Sequence, residues 1–341
     1  MPAPTPDQTT GAMPQPTPAS TPEATPNPAP VPASNPAPGP GPMPELLPDT
    51  LQDPPPEQDK VIACVDQSHF ANFVTDAASW AARRMQAPLE LLHILDRQAE
   101  VPIGRDHSGA IGFNAQQNLL TELSALDESR SKENRERGRE FLNNLRQRAL
   151  GLGVQAPDVR QRYGDLEEVL VGAQDQVRLF VMGRRGESAE TTQRDLGRNV
   201  ERMVRSLDKP ILAVTDQFTE PQRVLIAFDG GSMTRRGVEM VARSPLFRGL
   251  PVHVLMSGKV RRDGGKQLDW ARRTLGDAGF EVTAVLLPGD TERVIATYVR
   301  EQAIDMLLMG AYGHSPLRSL LFGSKTTDLL RSAKVPTLLL R

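Results

Sequence analysis

Lys60-Val-Ile-Ala-Cys-Val-Asp66 is answered later in the chain by Arg223-Val-Leu-Ile-Ala-Phe-Asp229, and that recurrence decides the fold. Each stretch is a short apolar run closed by an aspartate, the pattern of a strand buried on both faces whose carboxyl end meets a turn. Three more landmarks recur in the same order. Gly164-Asp-Leu-Glu-Glu-Val-Leu170 matches Gly289-Asp-Thr-Glu-Arg-Val-Ile295, Leu179-Phe-Val-Met-Gly183 matches Leu307-Leu-Met-Gly310, and Lys209-Pro-Ile-Leu-Ala-Val214 matches Val335-Pro-Thr-Leu-Leu-Leu340. Residues 60–216 and 222–341 therefore read as two copies of one unit.

In the second copy the apolar runs predict strands near 223–228, 251–256, 281–287, 305–309 and 335–340. Amphipathic stretches between them predict helices near 233–244, 264–278, 291–303 and 324–333. Alternation of this kind calls for an α/β fold of two tandem, open, doubly wound parallel-sheet domains, with helices on both faces and right-handed crossovers. Such sheets bind ligands beyond the carboxyl ends of their strands, where the winding reverses. Asp229, Gly289-Asp290 and Gly310-Ala-Tyr-Gly313 all fall at such ends. The first copy carries about forty extra residues between its second and third strands. Leu119, Leu120, Leu123 and Leu126, then the charged run 127–140, then Phe141, Leu142 and Leu145 predict a long helix with a solvated charged face. Residues 104–112 upstream of it read as a loop, either a lid or an unstructured excursion.

The first 58 residues hold 20 of the 30 prolines and no lysine or arginine. Too few of them are apolar to bury a core, so a disordered proline-rich tail is expected, an inert extension or a docking spacer. The expected organisation is a tail at 1–58, a first domain at 59–216 and a second at 222–341. The net charge is −2, and the tail's uncompensated acids leave the remainder mildly basic. Lysines and arginines interspersed with acids, among few aromatics, show no nucleic-acid footprint. No apolar run is long enough for a membrane span and no leader pattern opens the chain, so a cytoplasmic protein is expected. Cys64, the single cysteine, lies in an apolar run and reads as a buried small hydrophobe. The five histidines show no metal-ligand spacing. Gly151-Leu-Gly-Val-Gln-Ala156 spells a dinucleotide fingerprint but follows a helix and precedes a strand, so its glycines read as helix terminators. No Walker-type phosphate loop is present.

Chemistry concentrates after the last-but-one strand. Gly310-Ala-Tyr-Gly313-His314 is followed by Phe322-Gly323-Ser324-Lys325-Thr326, where a helix is expected to begin. Free N–H groups at a strand end and a helix start, together with the helix dipole, attract phosphate oxygens. Glycine admits the phosphate close to the backbone, and Ser324 and Thr326 offer hydroxyl donors. Asp229 has two readings, an acceptor for an amino group or hydroxyls and a cap for the turn into the next helix. His314 is either a phosphate donor or a surface residue.

The spacing Gly-x-x-Gly, nine residues, Gly-Ser resembles the ATP-binding signature of the universal stress protein family, and the resemblance extends over residues 60–341. It implies ATP as the bound cofactor, alone or with Mg2+. Asp229 and Ser257 would face the adenine and Met309 and Gly310 would flank the ribose. Gly313, His314, Gly323, Ser324, Lys325 and Thr326 would surround the phosphates. The first copy departs from the pattern. Gly183-Arg-Arg-Gly186 is followed by ten residues before Gly197, and Arg198 stands where the serine is expected. With Asp66 at its first strand end, and with Arg184, Arg185 and Arg198 able to pair with phosphates, this copy either binds nucleotide differently, holds a phosphate without an adenosine, or is a degenerate structural half. Family members commonly dimerise through their last strand, which implies pairing of Ile211 to Val214 with Thr337 to Leu340 inside this chain and leaves a homodimer open. The resemblance implies a stress-response regulator whose binding to an unknown protein partner depends on nucleotide occupancy. A slow ATPase using Asp229, Asp290 or His314 and a nucleotide-free adaptor are the alternatives.

Overall fold

The computed structural model describes residues 59–95, 113–185, 198–258, 263–310 and 335–341, except for the side chains of 113–128, 130, 131 and 198. In chain order these form β1 (Lys60–Val65), α1 (Ala71–Met85), β2 (Leu89–Leu95), α2 (Phe113–Gly151), β3 (Asp158–Tyr163), α3 (Leu166–Ala173), β4 (Val177–Gly183), α4 (Arg198–Ser206) and β5 (Ile211–Val214). They continue with β6 (Val224–Ala227), α5 (Ser232–Arg243), β7 (Val252–Gly258), α6 (Gly264–Asp277), β8 (Val282–Pro288), α7 (Thr291–Glu301), β9 (Met306–Gly310) and β10 (Thr337–Leu340). The proline-rich tail, the loop expected at 104–112 and the helix expected at 324–333 lie outside the described residues.

All ten strands join one sheet in the order β3-β2-β1-β4-β5-β10-β9-β6-β7-β8. Either half, read inward from its edge, visits its strands in the same sequence, which is the repeat made visible. Alternate strand residues feed two cores. Val61, Ala63, Val224 and Ile226 pack with α1, α2, α5 and α6 on one face. Ile62, Leu225 and Leu307 pack with α3, α4 and α7 on the other. The repeat extends to turn geometry. Gly164 (φ 140°) and Gly289 (φ 135°) occupy backbone conformations that favour glycine. The aspartates that follow cap α3 and α7: Asp165 Oδ1 accepts from Glu167 N–H (2.9 Å) and Asp290 Oδ1 from Arg293 N–H (3.2 Å).

Every pairing is parallel except that of β5 with β10, which run antiparallel with Thr337 opposite Ala213, Leu338 opposite Leu212 and Leu339 opposite Ile211. The two halves thus meet through the strands that the family resemblance implied. Several side chains reinforce the seam. Arg184 Nη2 donates to Val335 O (3.0 Å), and Arg84 Nε donates to Leu246 O (2.6 Å). Phe218, in the connection between the halves, packs on Trp80 of α1 at 6.1 Å between ring centroids.

The copies differ most between their second and third strands, where α2 has 39 residues and α6 has 14. Leu142, Leu145 and Ala149 bury the carboxyl-terminal part of α2 against α1 and the sheet. From Lys132 to Arg137 the helix is exposed apart from half-buried Asn134, the solvated charged face expected there. Its end falls at Gly151, so the fingerprint-like glycines do terminate a helix.

His253 and Tyr298 make a buried polar contact inside the second half, with His253 Nδ1 2.8 Å from the Tyr298 hydroxyl. Burial, and then the positive charge of Arg223, push the imidazole below its ordinary value of 6.5, while Glu281 opposes the shift. Burial raises the phenol. The unfolded chain therefore takes up this proton at a higher pH than the folded chain, and stability is lost as pH falls through the ordinary histidine value toward the depressed one. We expect the melting temperature to drop between pH about 7 and about 5, and His253→Gln to flatten that part of the profile. Equal acid slopes for the two proteins would contradict it.

Candidate functional site

β6 lies between β9 and β7, so three neighbouring strands deliver their carboxyl ends to one place. Asp229 follows β6, Ser257 lies near the end of β7, and Met309 and Gly310 end β9. The Asp229 carboxylate organises the turn into α5, with Oδ1 accepting from Gly231 N–H (2.9 Å) and from the Thr234 hydroxyl (2.7 Å). Asp229 thus holds the turn that leads into α5, whose N-cap position is Gly231. Gly310 lies against that turn: a Cβ there would come 3.0 Å from Met233 Cγ and 3.7 Å from Thr234 Cγ2. The absence of a side chain lets the end of β9 close onto the first turn of α5.

Two residues that sequence reasoning missed complete this rim. Thr234, buried, ties Asp229 to α5. Gln267 leans from α6 over Gly230; its Nε2 donates to Asp263 Oδ2 (2.7 Å), and its buried Oε1 has no donor among the described residues. A polar residue on an amphipathic helix carries no signal that would separate it from its solvated neighbours. Arg235 lies 4.6 Å from the Trp270 ring centroid and donates to Gly230 O (3.3 Å), which holds the same turn from the α5 side.

The first half repeats this construction. Asp66 Oδ1 accepts from Ser68 N–H (3.2 Å) and from the Ser68 hydroxyl. A Cβ on Gly183 would meet Arg185 O at 2.7 Å and Phe70 Cβ at 3.0 Å, the counterpart of the Gly310 contact. Arg184 is buried; its N–H donates to Val214 O (2.7 Å) and its Nη2 to Val335 O, so its guanidinium serves the seam between the halves. Because β5 and β10 are antiparallel, the strand-end clusters of the two halves lie on opposite edges of the sheet.

Gly186, Gly197, Gly313, His314, Gly323, Ser324, Lys325 and Thr326 lie outside the described residues, and Arg198 is described only as the first backbone position of α4. Asp290 caps α7, so it and Asp229 both accept backbone N–H groups. Among the described residues no group of three His, Cys, Asp or Glu side chains is placed to hold a metal ion. Cys64 is half-buried rather than fully enclosed. Its surroundings, burial first and then the Glu90 and Asp66 carboxylates, push the thiol up to about 12 and keep it protonated at neutral pH.

Comparison with known proteins sets this geometry in a family. The profile of the universal stress protein family matches residues 58–215 and 258–341. A universal stress protein of Synechocystis sp. is 32% identical over 284 residues, spanning 82% of this chain and 99% of the relative. The chain belongs to the universal stress protein family. Among solved structures, a universal stress protein from Archaeoglobus fulgidus matches with a TM-score of 0.60 at 17% identity, over 83% of this chain and 98% of that one. A putative universal stress protein from Pseudomonas aeruginosa matches with a TM-score of 0.52 at 14% identity, over 83% of this chain and 93% of its own. At those identities the two structures speak for the universal stress protein fold alone. The profile passes over residues 216–257, which include Asp229 and Ser257, so Asp229 rests on the internal repeat and both on the geometry of the strand ends. Among the described residues no helix is long and apolar enough to cross a membrane.

Proposed function

We propose that this universal stress protein is a tandem regulator, with domains at 59–216 and 222–341 behind the tail at 1–58, and that the second domain binds ATP. The observation that carries the reading is the convergence of Asp229, Ser257, Met309 and Gly310 at three adjacent strand ends. From Gly310 the chain runs straight into the signature Gly-x-x-Gly, nine residues, Gly-Ser. The donor and acceptor set suits an adenosine. Asp229 and Gln267 Oε1, which has no donor among the described residues, are acceptors for an amino group or ribose hydroxyls, and Ser257 adds a hydroxyl. Gly313, His314, Gly323, Ser324, Lys325 and Thr326 are the residues that would hold the phosphates, through backbone N–H groups, hydroxyls and positive charge. ATP bound there would favour one conformation of those segments, and the protein partner would read that occupancy.

For the first domain a structural role is the reading that one observation favours. Its strand-end arginine, Arg184, is buried and donates to Val335 O across the seam. Mass spectrometry of ligand released from protein purified without added nucleotide tests the assignment. An adenine nucleotide at about one per chain supports it, since a single site in the second domain is expected. Two per chain would return the first domain to nucleotide binding. None, in protein that also fails to bind added ATP, would leave the adaptor reading.

A further inference from the structure

A cavity of about 490 Å³ opens where the halves meet, lined by Arg84, Met85 and Gln86 at the end of α1 and by Pro245 and Arg248 in the turn after α5. Its size suits a small molecule, and its walls come from both halves, a junction where such sites gather. The segments that line it lead into the amino ends of β2 and β7, whereas Asp229, Ser257, Met309 and Gly310 gather at carboxyl ends. It is therefore separate from the candidate nucleotide site.

The lining carries two positive charges and no carboxylate. Arg84 Nε donates to Leu246 O (2.6 Å) and its Nη2 to Arg248 O, while the guanidinium lies 6.0 Å from the Trp80 ring centroid. These contacts fix the guanidinium across the seam but leave its charge uncompensated, since neither a carbonyl nor a ring carries a full negative charge. Arg248, whose carbonyl receives one of those bonds, is exposed, and its guanidinium has no partner among the described residues. Glu220, in the connection between the halves, is already engaged by Arg83. Two neighbouring arginines without an acid repel each other, and an anion between them reverses that cost. Gln86 adds an amide with no side-chain partner among the described residues. It takes φ 52° and ψ 43°, a left-handed conformation that helix ends usually leave to glycine or asparagine.

We propose that this cavity binds a small organic phosphate. A phosphate monoester brings about two negative charges at neutral pH and three acceptor oxygens, which answer two guanidiniums and one amide. The planar N–H fork of arginine matches phosphate oxygens in pairs. Met85 and Pro245 supply an apolar wall for the uncharged body of the ligand. Because Arg84, Met85 and Gln86 belong to one half and Pro245 and Arg248 to the other, the bound phosphate ties the halves together, and stability rises with its concentration.

Isothermal titration of the full-length protein with phenyl phosphate, and with benzoate as a singly charged analogue, tests the proposal. We expect one phenyl phosphate per chain, benzoate bound about tenfold more weakly or worse, and a loss of about ten- to a hundredfold in Arg248→Ala. Gln86→Gly should bind about threefold more weakly or worse. It should melt no lower than wild type, because glycine accepts φ 52° freely. Arg300→Ala, which removes an exposed arginine on the other face of the sheet, should bind as wild type does. So should Gly323→Val, which alters the proposed ATP site, and Arg248→Ala should keep its thermal response to ATP, so that the two sites stand or fall separately. The proposal is overturned by no saturable binding in wild type, by equal affinity for benzoate, or by affinity unchanged in both Arg248→Ala and Gln86→Gly. A loss in Arg300→Ala as large as in Arg248→Ala, or a loss in Gly323→Val alone, overturns it as well.

Discussion

Leu338→Ala should lower the unfolding free energy by roughly 2–5 kcal/mol, the range for truncating a fully buried leucine. Leu338 is 1% exposed and stands opposite Leu212 in the antiparallel pairing of β5 with β10. It belongs to the core that runs without a break from α1 and α2 to α5 and α6, so the cavity would open where both halves contribute packing. Both halves should lose stability together in one transition, because the seam is shared and residues 215–223 between them are anchored to α1 through Phe218 and Glu220. Urea denaturation followed by tryptophan fluorescence reads this well, since Trp80 lies in the first half and Trp270 in the second. Thr283→Ala, an exposed position on β8, should stay within about 0.5 kcal/mol of wild type. A loss below about 1 kcal/mol for Leu338→Ala, or two separate transitions in the wild type, would contradict a common core.

Much of this architecture was legible because parallel strands buried on both faces leave an unambiguous trace. Runs such as Val61 to Val65 and Val224 to Phe228 have few other structures open to them once they recur in order with Gly-Asp turns. The strands expected in the second copy, and its helices expected near 233–244, 264–278 and 291–303, agree with the observed ones within a few residues. The antiparallel seam was legible only through family resemblance, since nothing in Ile211 to Val214 or Thr337 to Leu340 specifies direction of pairing. Of the candidate site, the strand ends were legible. Asp229 and Gly310 are marked by their place at the ends of apolar runs, and Met309 was named through the family resemblance. Thr234 and Gln267 were not legible, because their roles depend on distances across elements: the hydroxyl of one is 2.7 Å from Asp229, and the amide of the other lies over Gly230. For Arg184 the sequence left phosphate pairing and a structural role both open, because an arginine beside glycines at a strand end invites either. Its hydrogen bond to Val335 O, 151 residues away in the chain, leaves no local signal.

ATP at about 100 times its dissociation constant should stabilise the protein by roughly 2.7 kcal/mol if it binds the folded chain alone. Ser324→Ala, removing one hydrogen bond to a charged group, should weaken binding by about 1.5–3 kcal/mol. Gly323→Val should abolish it, since a branched side chain would stand where a phosphate must approach the backbone. Gly197→Val, the corresponding change in the first domain, should leave the ATP response intact. The decisive measurement is the thermal melt of wild type, Gly323→Val and Gly197→Val, each with and without saturating ATP. An upward shift in wild type and Gly197→Val, absent in Gly323→Val, is the predicted result. A shift lost only in Gly197→Val would place the nucleotide in the first domain, and no shift in the wild type would contradict nucleotide binding by this chain altogether.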